Sequence, residues 1–420
     1  MGLKKVAVVG AGWAGLAAAI EAVRAGHQVV LSEMAPAPGG RARSLGEVDN
    51  GQHILSGAYR ETLALRRAVG VDLQSALLRR PLARVGSDGR GIRLPQGRPT
   101  VAFVRGVLGA AGWGLADRLS LLRQAWRWRG ARFECDETLS VAHAATELSP
   151  MAYRALIEPL CLAALNTPPE RASAQVFLRV MHDALFAGSG GSDLLLPTRP
   201  LSALLPEPAI HWLRAKRVEC RFRQRATRIE AASGGTWRLD GERFDAVLLA
   251  CTAAEATRLV APIAPRWHRC ATALRHGAIL TVLLREPRLR LPFPMVTLAS
   301  GPDAPAQFVF DLARLGRPAQ GHAFVVSDAG RWLDDGVAAA AQQVLRQAMT
   351  VFPGAFLRDD ALCHASGERR ATFCCSPRTQ RPPMEIAPNL HAAGDYVEGP
   401  FPATIEGAVR SGLAAARALG

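Results

Sequence analysis

Residues 6–33 read VAVVGAGWAGLAAAIEAVRAGHQVVLSE. Val6–Val9 predicts a short buried strand, Trp13–Ala25 a helix stopped by Gly26, and His27–Glu33 a second apolar strand. A strand, helix and strand of this length form a parallel, right-handed crossover. Gly10, Gly12 and Gly15 stand as G-x-G-x-x-G at the first strand-to-helix turn. Gly10 permits the tight turn, Gly12 lets a diphosphate approach the backbone, and Gly15 lets helix and strand pack closely. The helix start offers unpaired N–H groups and a positive dipole end to an anion. Glu33 ends the second strand, where a carboxylate accepts from a ribose hydroxyl and disfavours a 2′-phosphate. These residues predict a dinucleotide clamp in an α/β unit, without choosing between NAD and FAD.

The rest of the chain sets the frame. It has 420 residues, 49% hydrophobic and 21% charged, enough for two or three compact units. No apolar run reaches the roughly 18 residues of a membrane span. Lys4 and Lys5 precede an apolar stretch, but it breaks into the glycine pattern, unlike a signal peptide. The net charge is +15, with Lys4, Lys5 and Lys216 the only lysines among 51 basic residues. That skew to arginine, with heavy alanine use, reads as codon bias. No nucleic-acid motif or dense basic tract accompanies it, so no nucleic-acid partner is expected. Eight scattered cysteines include no C-x-x-C pair and imply no metal site. They suit a reducing cytoplasm.

Along the chain, residues from about 58 to 190 read mostly as helices, including Ala111–Arg132 and Met151–Leu165. ATRIEAA and TWRLD flank Ser-Gly-Gly as a hairpin, and FDAVLLACT follows as a buried strand. AILTVLLRE, QFVFDL and AFVVSD predict an antiparallel sheet, and Val337–Met349 a helix. NLHAAGDY and ATIEGAVRSGLAAARAL return to a strand and helix. The nucleotide-binding pieces are therefore expected at 1–57, 194–265 and 385–420. A second, substrate-binding domain is expected from 58–193 and 266–384, a helical part plus the antiparallel sheet.

Just after Glu33, Pro38–Arg43 reads PGGRAR. It resembles the G-G-R segment of flavin amine oxidases, phytoene desaturases and their relatives. Ala393-Gly394-Asp395 and ATIEGAVRSG (Ala403–Gly412) resemble that superfamily's ending. The resemblance implies FAD, held by a Rossmann-like domain of the glutathione-reductase/amine-oxidase type with an inserted α+β substrate domain. It implies that Gly39, Gly40, Arg41 and Arg43 run along the diphosphate and ribityl chain, with Gly394 and Asp395 nearby. Ala403, Thr404 and Ile405 would aim a helix start at the flavin, where reduction places negative charge. Trp13, Ala14, Gln52, His53 and Ala226 complete the implied cofactor-binding set.

Asp49–Tyr59 reads DNGQHILSGAY. With LCLAALNTPPERASAQVFLRV (160–180), LLLPTRPLSALLPEPA (194–209) and FPATIEGAVRSG (401–412), the chain is similar over essentially its whole length to the hydroxysqualene dehydroxylase family. These enzymes of hopanoid biosynthesis are also called squalene-associated FAD-dependent desaturases. The family reduces hydroxysqualene, an isoprenoid allylic alcohol, to squalene. Hydroxide leaves poorly, so a general acid is expected. Loss of water leaves an allylic cation that hydride from reduced FAD quenches, in an apolar tunnel that excludes water. His53 is the first candidate acid, as an imidazolium. Its alternative role is a hydrogen bond to FAD or backbone. Tyr59 and Asp183 are further candidates, though a packed helix-start aromatic and a solvated helix acid are the plainer readings. Asn166 reads as a turn former.

Leu115, Leu119, Leu122 and Trp126 share one helical face, with Arg118, Arg123, Arg127 and Arg129 beside them. The plainer reading packs this stripe into the helical domain. The other lays residues 111–132 in the inner membrane interface, a peripheral contact of a cytoplasmic enzyme. The electron donor has no motif, since no second G-x-G-x-x-G appears. Two functions compete with dehydroxylation. One is oxidation on the same fold, by a desaturase or amine oxidase. The other is a flavin-free prenyl-lipid carrier, against which the intact glycine, Glu33 and PGGRAR set argues.

Overall fold

The computed structural model describes residues 2–186, 188–355 and 361–420. Strands of its two larger sheets run in chain order as β1 (Lys5–Val9), β2 (Gln28–Glu33), β3 (Glu219–Phe222), β4 (Ala246–Leu249), β5 (His276–Leu284), β6 (Met295–Thr297), β7 (Phe308–Asp311), β8 (His322–Ser327), β9 (Leu362–Phe373), β10 (Glu385–Ala387) and β11 (Leu390–Ala392). Helices used below are α1 (Trp13–Arg24), α2 (Arg60–Ala68), α3 (Pro99–Leu108), α4 (Leu115–Gly130), α5 (Glu158–Leu165), α6 (Ala174–Leu185), α7 (Val337–Val351) and α8 (Ile405–Arg417).

The first sheet has the order β3-β2-β1-β4-β11-β10. Its pairs are parallel up to β11, and β10 closes the edge antiparallel. Central strands of such a sheet are covered on both faces and read as continuous apolar runs. Val6 and Val8 of β1 enter one apolar cluster with α1 and α8, while Ala7 and Val9 enter another on the opposite face. α1 is alanine-rich and buried along most of its length because it lies between the sheet and α8. A Cβ on Gly412 would lie 2.0 Å from the Ala14 carbonyl oxygen, so the backbones of α1 and α8 nearly touch. The Ser-Gly-Gly hairpin joins Ile229–Ala232 to Thr236–Leu239, with Gly234 and Gly235 at positive φ.

The second sheet is antiparallel, in the order β6-β7-β8-β5-β9. β9 lies at its edge and carries Glu368, Arg369 and Arg370. Its side chains are mostly not fully buried until Thr372 and Phe373. That polar composition gives no apolar alternation, which is why it escaped the sequence reading. The helix expected over Met151–Leu165 is interrupted by a π-turn at Tyr153–Ile157, just before α5. Pro159 has no N–H to donate to residue 155, and its ring crowds that carbonyl, which widens the turn.

α4 overturns the packing expectation for its leucine stripe. Leu121, Gln124, Ala125 and Trp128 form the buried face. Leu115, Leu119 and Trp126 are 68%, 54% and 53% exposed, and of the expected stripe Leu122 alone packs, half-buried, against the core. The helix carries two apolar stripes, and the core takes the one with the buried tryptophan.

Candidate functional site

The carboxyl ends of β1, β2 and β4 and the first turns of α1 and α8 open on one cavity of about 540 Å³. Ligands of open α/β sheets bind at this end of the strands. Gly10 turns the chain there at φ +107°, and a Cβ on it would lie 2.6 Å from the Ala250 oxygen. Gly15 is not part of the wall; its absent Cβ would sit 1.8 Å from the Gly10 oxygen, so it serves the helix–strand contact. Gly12 is different. A Cβ there meets nothing nearer than Gly40 Cα at 3.9 Å and would stand in the cradle that a diphosphate needs.

The PGGRAR loop is stitched to this turn. Gly39 N–H donates to the Ala11 oxygen at 2.8 Å, and Trp13 Nε1–H donates to the Ala42 oxygen at 2.9 Å. Glu33 accepts from the backbone N–H groups of Ala11 at 2.7 Å and Ala35 at 2.8 Å, which fixes its carboxylate at the cavity wall. Arg41 Nη2 lies 2.5 Å from Asp395 Oδ1, tying this loop to a residue 354 positions away. The Asp395 charge raises the Arg41 pKa further above its ordinary value. Gly394 N–H donates to Ser411 Oγ of α8, and Thr404 Oγ1 accepts from Gly407 N–H to cap that helix. Ala14, Gly40, Arg43, Ala226, Ala403 and Ile405 also line the cavity. Glu406 instead points at α2, accepting from Glu61 N–H, Thr62 N–H and Thr62 Oγ1. It thereby supplies the cap that Tyr59 at the helix start does not.

The far wall comes from the second sheet and α5, with Ile279, Phe308, Phe310, Val325 and Leu162 among its apolar groups. Gln52, His53 and Tyr59 line the cavity between these halves. The block that carries them is held by a buried ion pair between Asp49 Oδ2 and Arg317 Nη1 at 2.5 Å, with Arg317 Nη2 also donating to Gln52. Arg317 was invisible to sequence reading because 268 residues separate the partners.

Of the proton-donor candidates, His53 and Tyr59 reach the cavity and Asp183 does not line it. Asp183 pairs with Arg179 and His182 on α6, on a partly exposed face. His53 also needs correction as a resting imidazolium. Burial lowers its pKa below the ordinary 6.5, outweighing the Gly51 carbonyl and the Asp49 charge that favour protonation. The ring is neutral at pH 7, and its Nδ1 lies 3.1 Å from the Gly51 oxygen, so Nδ1–H donates there and Nε2 is left as the acceptor. Burial raises the Tyr59 pKa, which keeps that phenol protonated. Asn166 caps α5 in the left-handed region and is spent on structure. It donates to Thr372 Oγ1 and the Ala278 oxygen and accepts from Asp328 N–H. Among the lining residues not singled out from the sequence, Thr281 and Tyr396 have buried hydroxyls with no hydrogen-bond partner among the described residues.

The residues present fit a flavin dinucleotide: an open glycine cradle, a helix start with no side-chain cap, and the orphaned Tyr396 hydroxyl beside Gly394 in the same cavity. The comparisons agree. The family model for flavin-containing amine oxidoreductases matches residues 13–420. Hydroxysqualene dehydroxylase of Sinorhizobium fredii is 29% identical, over 98% of this chain and 97% of its own. Hydroxysqualene dehydroxylase of Rhodopseudomonas palustris is 27% identical, with 98% and 97% covered. An oxidoreductase from Methanosarcina mazei superposes with a TM-score of 0.73 at 16% identity, covering 98% of this chain and 99% of its own. With a family match across nearly the whole chain and a cavity built to receive the cofactor, this protein belongs to the flavin-containing amine oxidoreductase family and is an FAD-dependent oxidoreductase.

Proposed function

We propose that the chain reduces hydroxysqualene, an allylic C30 alcohol, to squalene. The observation that carries this reading is one cavity that joins a dinucleotide cradle to an aliphatic and aromatic wall. The names of its full-length relatives support the same substrate. The reaction breaks one C–O bond and forms one C–H bond, and the oxygen leaves as water after gaining a proton. FAD held in the cradle of Gly10, Gly12 and Gly40 would supply the hydride when reduced, and a separate two-electron donor would be needed to reduce it again. The chain's own part is to hold the alcohol, exclude water from the cation, and deliver the proton. His53 Nε2 is the site proposed for that proton, taken from solvent before the alcohol is engaged.

The test is anaerobic: photoreduced enzyme mixed with hydroxysqualene, with flavin reoxidation followed optically and squalene by mass spectrometry. Stoichiometric squalene is expected. Oxidised enzyme that instead dehydrogenates a squalene-like hydrocarbon would make it a desaturase. The His53 assignment adds a sign. A required acid is more protonated at lower pH, and burial sets this pKa below 6.5. The rate constant for reoxidation should therefore rise as pH falls from 7 through that lowered pKa, then level. His53→Gln should lose the limb and at least about 100-fold in rate. A variant with full rate and the same profile removes His53 from the mechanism.

Among the described residues no helix is long and apolar enough to cross a membrane. The substrate is a membrane lipid under this reading, and peripheral contact at the inner face of the membrane is proposed through α4. Leu115, Leu119 and Trp126 stand out to solvent there, and neighbouring α3 exposes Val101 and Leu108. Arg129 joins the two helices by donating to Thr100 Oγ1 while its guanidinium lies over Trp126. Arg98, Arg105, Arg118, Arg123 and Arg127 surround these groups, against Asp117 and Glu147, so the complement is an anionic bilayer. Leu119→Glu with Trp126→Ala should cut flotation with phosphatidylglycerol vesicles at least about tenfold at unchanged flavin content, since each buried side chain is worth about 1.5–3 kcal/mol. Equal flotation would remove this surface from consideration.

A further inference from the structure

We infer that the Thr281 hydroxyl is a substrate-binding group that holds the alcohol oxygen opposite His53. This rests on the dehydroxylation reading above. Thr281 lies in β5, facing Val325 of β8 and Ser366 of β9 in register, and all three border the cavity. Its neighbours in the strand are Leu280, Val282, Leu283 and Leu284, which are buried aliphatic groups. Among them a threonine contributes to the strand through its β-branch and methyl group alone. Its hydroxyl does no structural work: the residue is 4% exposed, and Oγ1 is buried with no hydrogen-bond partner among the described residues. An unpaired buried hydroxyl is costly, and valine has nearly the same shape without that cost. A partner supplied from the cavity removes the penalty.

The surroundings say what that partner is. Gly51 lies across from Thr281 at φ +86°. A Cβ on it would be 3.6 Å from His53 Cε1 and 3.8 Å from Thr281 Oγ1. The imidazole and the hydroxyl therefore both border the space that the missing side chain leaves. Nδ1 of His53 is engaged with the Gly51 carbonyl, so Nε2 is the ring atom left for a ligand. Ile279, Phe308, Phe310 and Val325 make the same wall apolar. A long hydrocarbon with one oxygen matches this pattern: the chain lies on the wall, and the oxygen sits between one proton donor and one hydroxyl. An alcohol oxygen can accept from protonated Nε2 while its own O–H donates to Thr281 Oγ1. The squalene product lacks that oxygen and cannot use the pair, so the same contact separates substrate from product.

The test uses the FAD-loaded, oxidised protein, which cannot turn the alcohol over. Hydroxysqualene and squalene are titrated separately and followed by the change in flavin absorbance. Thr281→Val should bind hydroxysqualene about 10- to 100-fold more weakly and squalene unchanged, with wild-type flavin content. Thr281→Ser, which restores the hydroxyl, should return alcohol binding to within about threefold. Equal weakening for both ligands shows a packing role and overturns the inference, as does Thr281→Val binding the alcohol like wild type. In either case wild-type squalene production leaves the dehydroxylation reading standing. Wild-type protein that neither binds nor reduces hydroxysqualene overturns that reading and this inference together.

Discussion

A Gly12→Val protein is expected to purify folded and colourless. The position has room for a side chain as far as the protein is concerned, since the nearest atom to a Cβ is Gly40 Cα at 3.9 Å. The valine would instead occupy the cradle and hold the diphosphate off the first N–H groups of α1. Charge-assisted hydrogen bonds to such groups are worth about 1.5–3 kcal/mol each, so losing two weakens FAD by at least about 100-fold. Far-UV circular dichroism should match wild type while flavin absorbance per protein falls to background. Gly15→Val is the contrast. Its Cβ would lie 1.8 Å from the Gly10 oxygen, and that variant should fail to fold rather than simply lose colour. A yellow Gly12→Val protein would place the cofactor elsewhere.

A large loss of stability without any steric clash is expected at Arg317. The Arg317–Asp49 pair is about 8% exposed on both sides. Arg317→Met leaves the Asp49 carboxylate buried with, among the described residues, only Ser44 Oγ and Leu201 N–H as donors. Breaking a buried pair by removing one partner costs about 3–5 kcal/mol. The urea midpoint should fall accordingly, and FAD should dissociate at lower urea, since Asp49 anchors the segment that carries Gln52 and His53. Adding Asp49→Leu should recover part of the loss by removing the stranded charge. Recovery stays partial because Leu201 N–H then lacks its acceptor. A single variant as stable as wild type would show that water reaches the pair freely.

The nucleotide-binding half was legible because its signals are local. β1, α1 and β2 follow from an apolar run, a glycine pattern and a helix stop within 28 residues, and α8 announces itself by its alanine-rich period. The antiparallel sheet was legible at β5, β7 and β8 and lost at β6, which is only three residues long, and at β9, whose side chains largely face away from the core. α4 shows a different limit. Periodicity picked out the stripe of Leu115, Leu119, Leu122 and Trp126 and not the one with Trp128, and only the neighbouring helices decide that Trp128 goes inside and Trp126 outside. At the site, residue types could suggest His53 as an acid, yet its resting charge depends on burial. Thr281 gave no signal at all, being one threonine in a run of aliphatics. Its meaning comes from what lies across from it.

The contact between Ala14 and Gly412 bears on how the enzyme comes into being. The glycine turn is made almost 400 residues before the helix that packs on it. Until then one side of α1, and of the cleft it starts, has no cover. Nascent chains stalled before α8 should carry no flavin, so loading follows the making of α8, and in the interim the alanine face of α1 needs another cover.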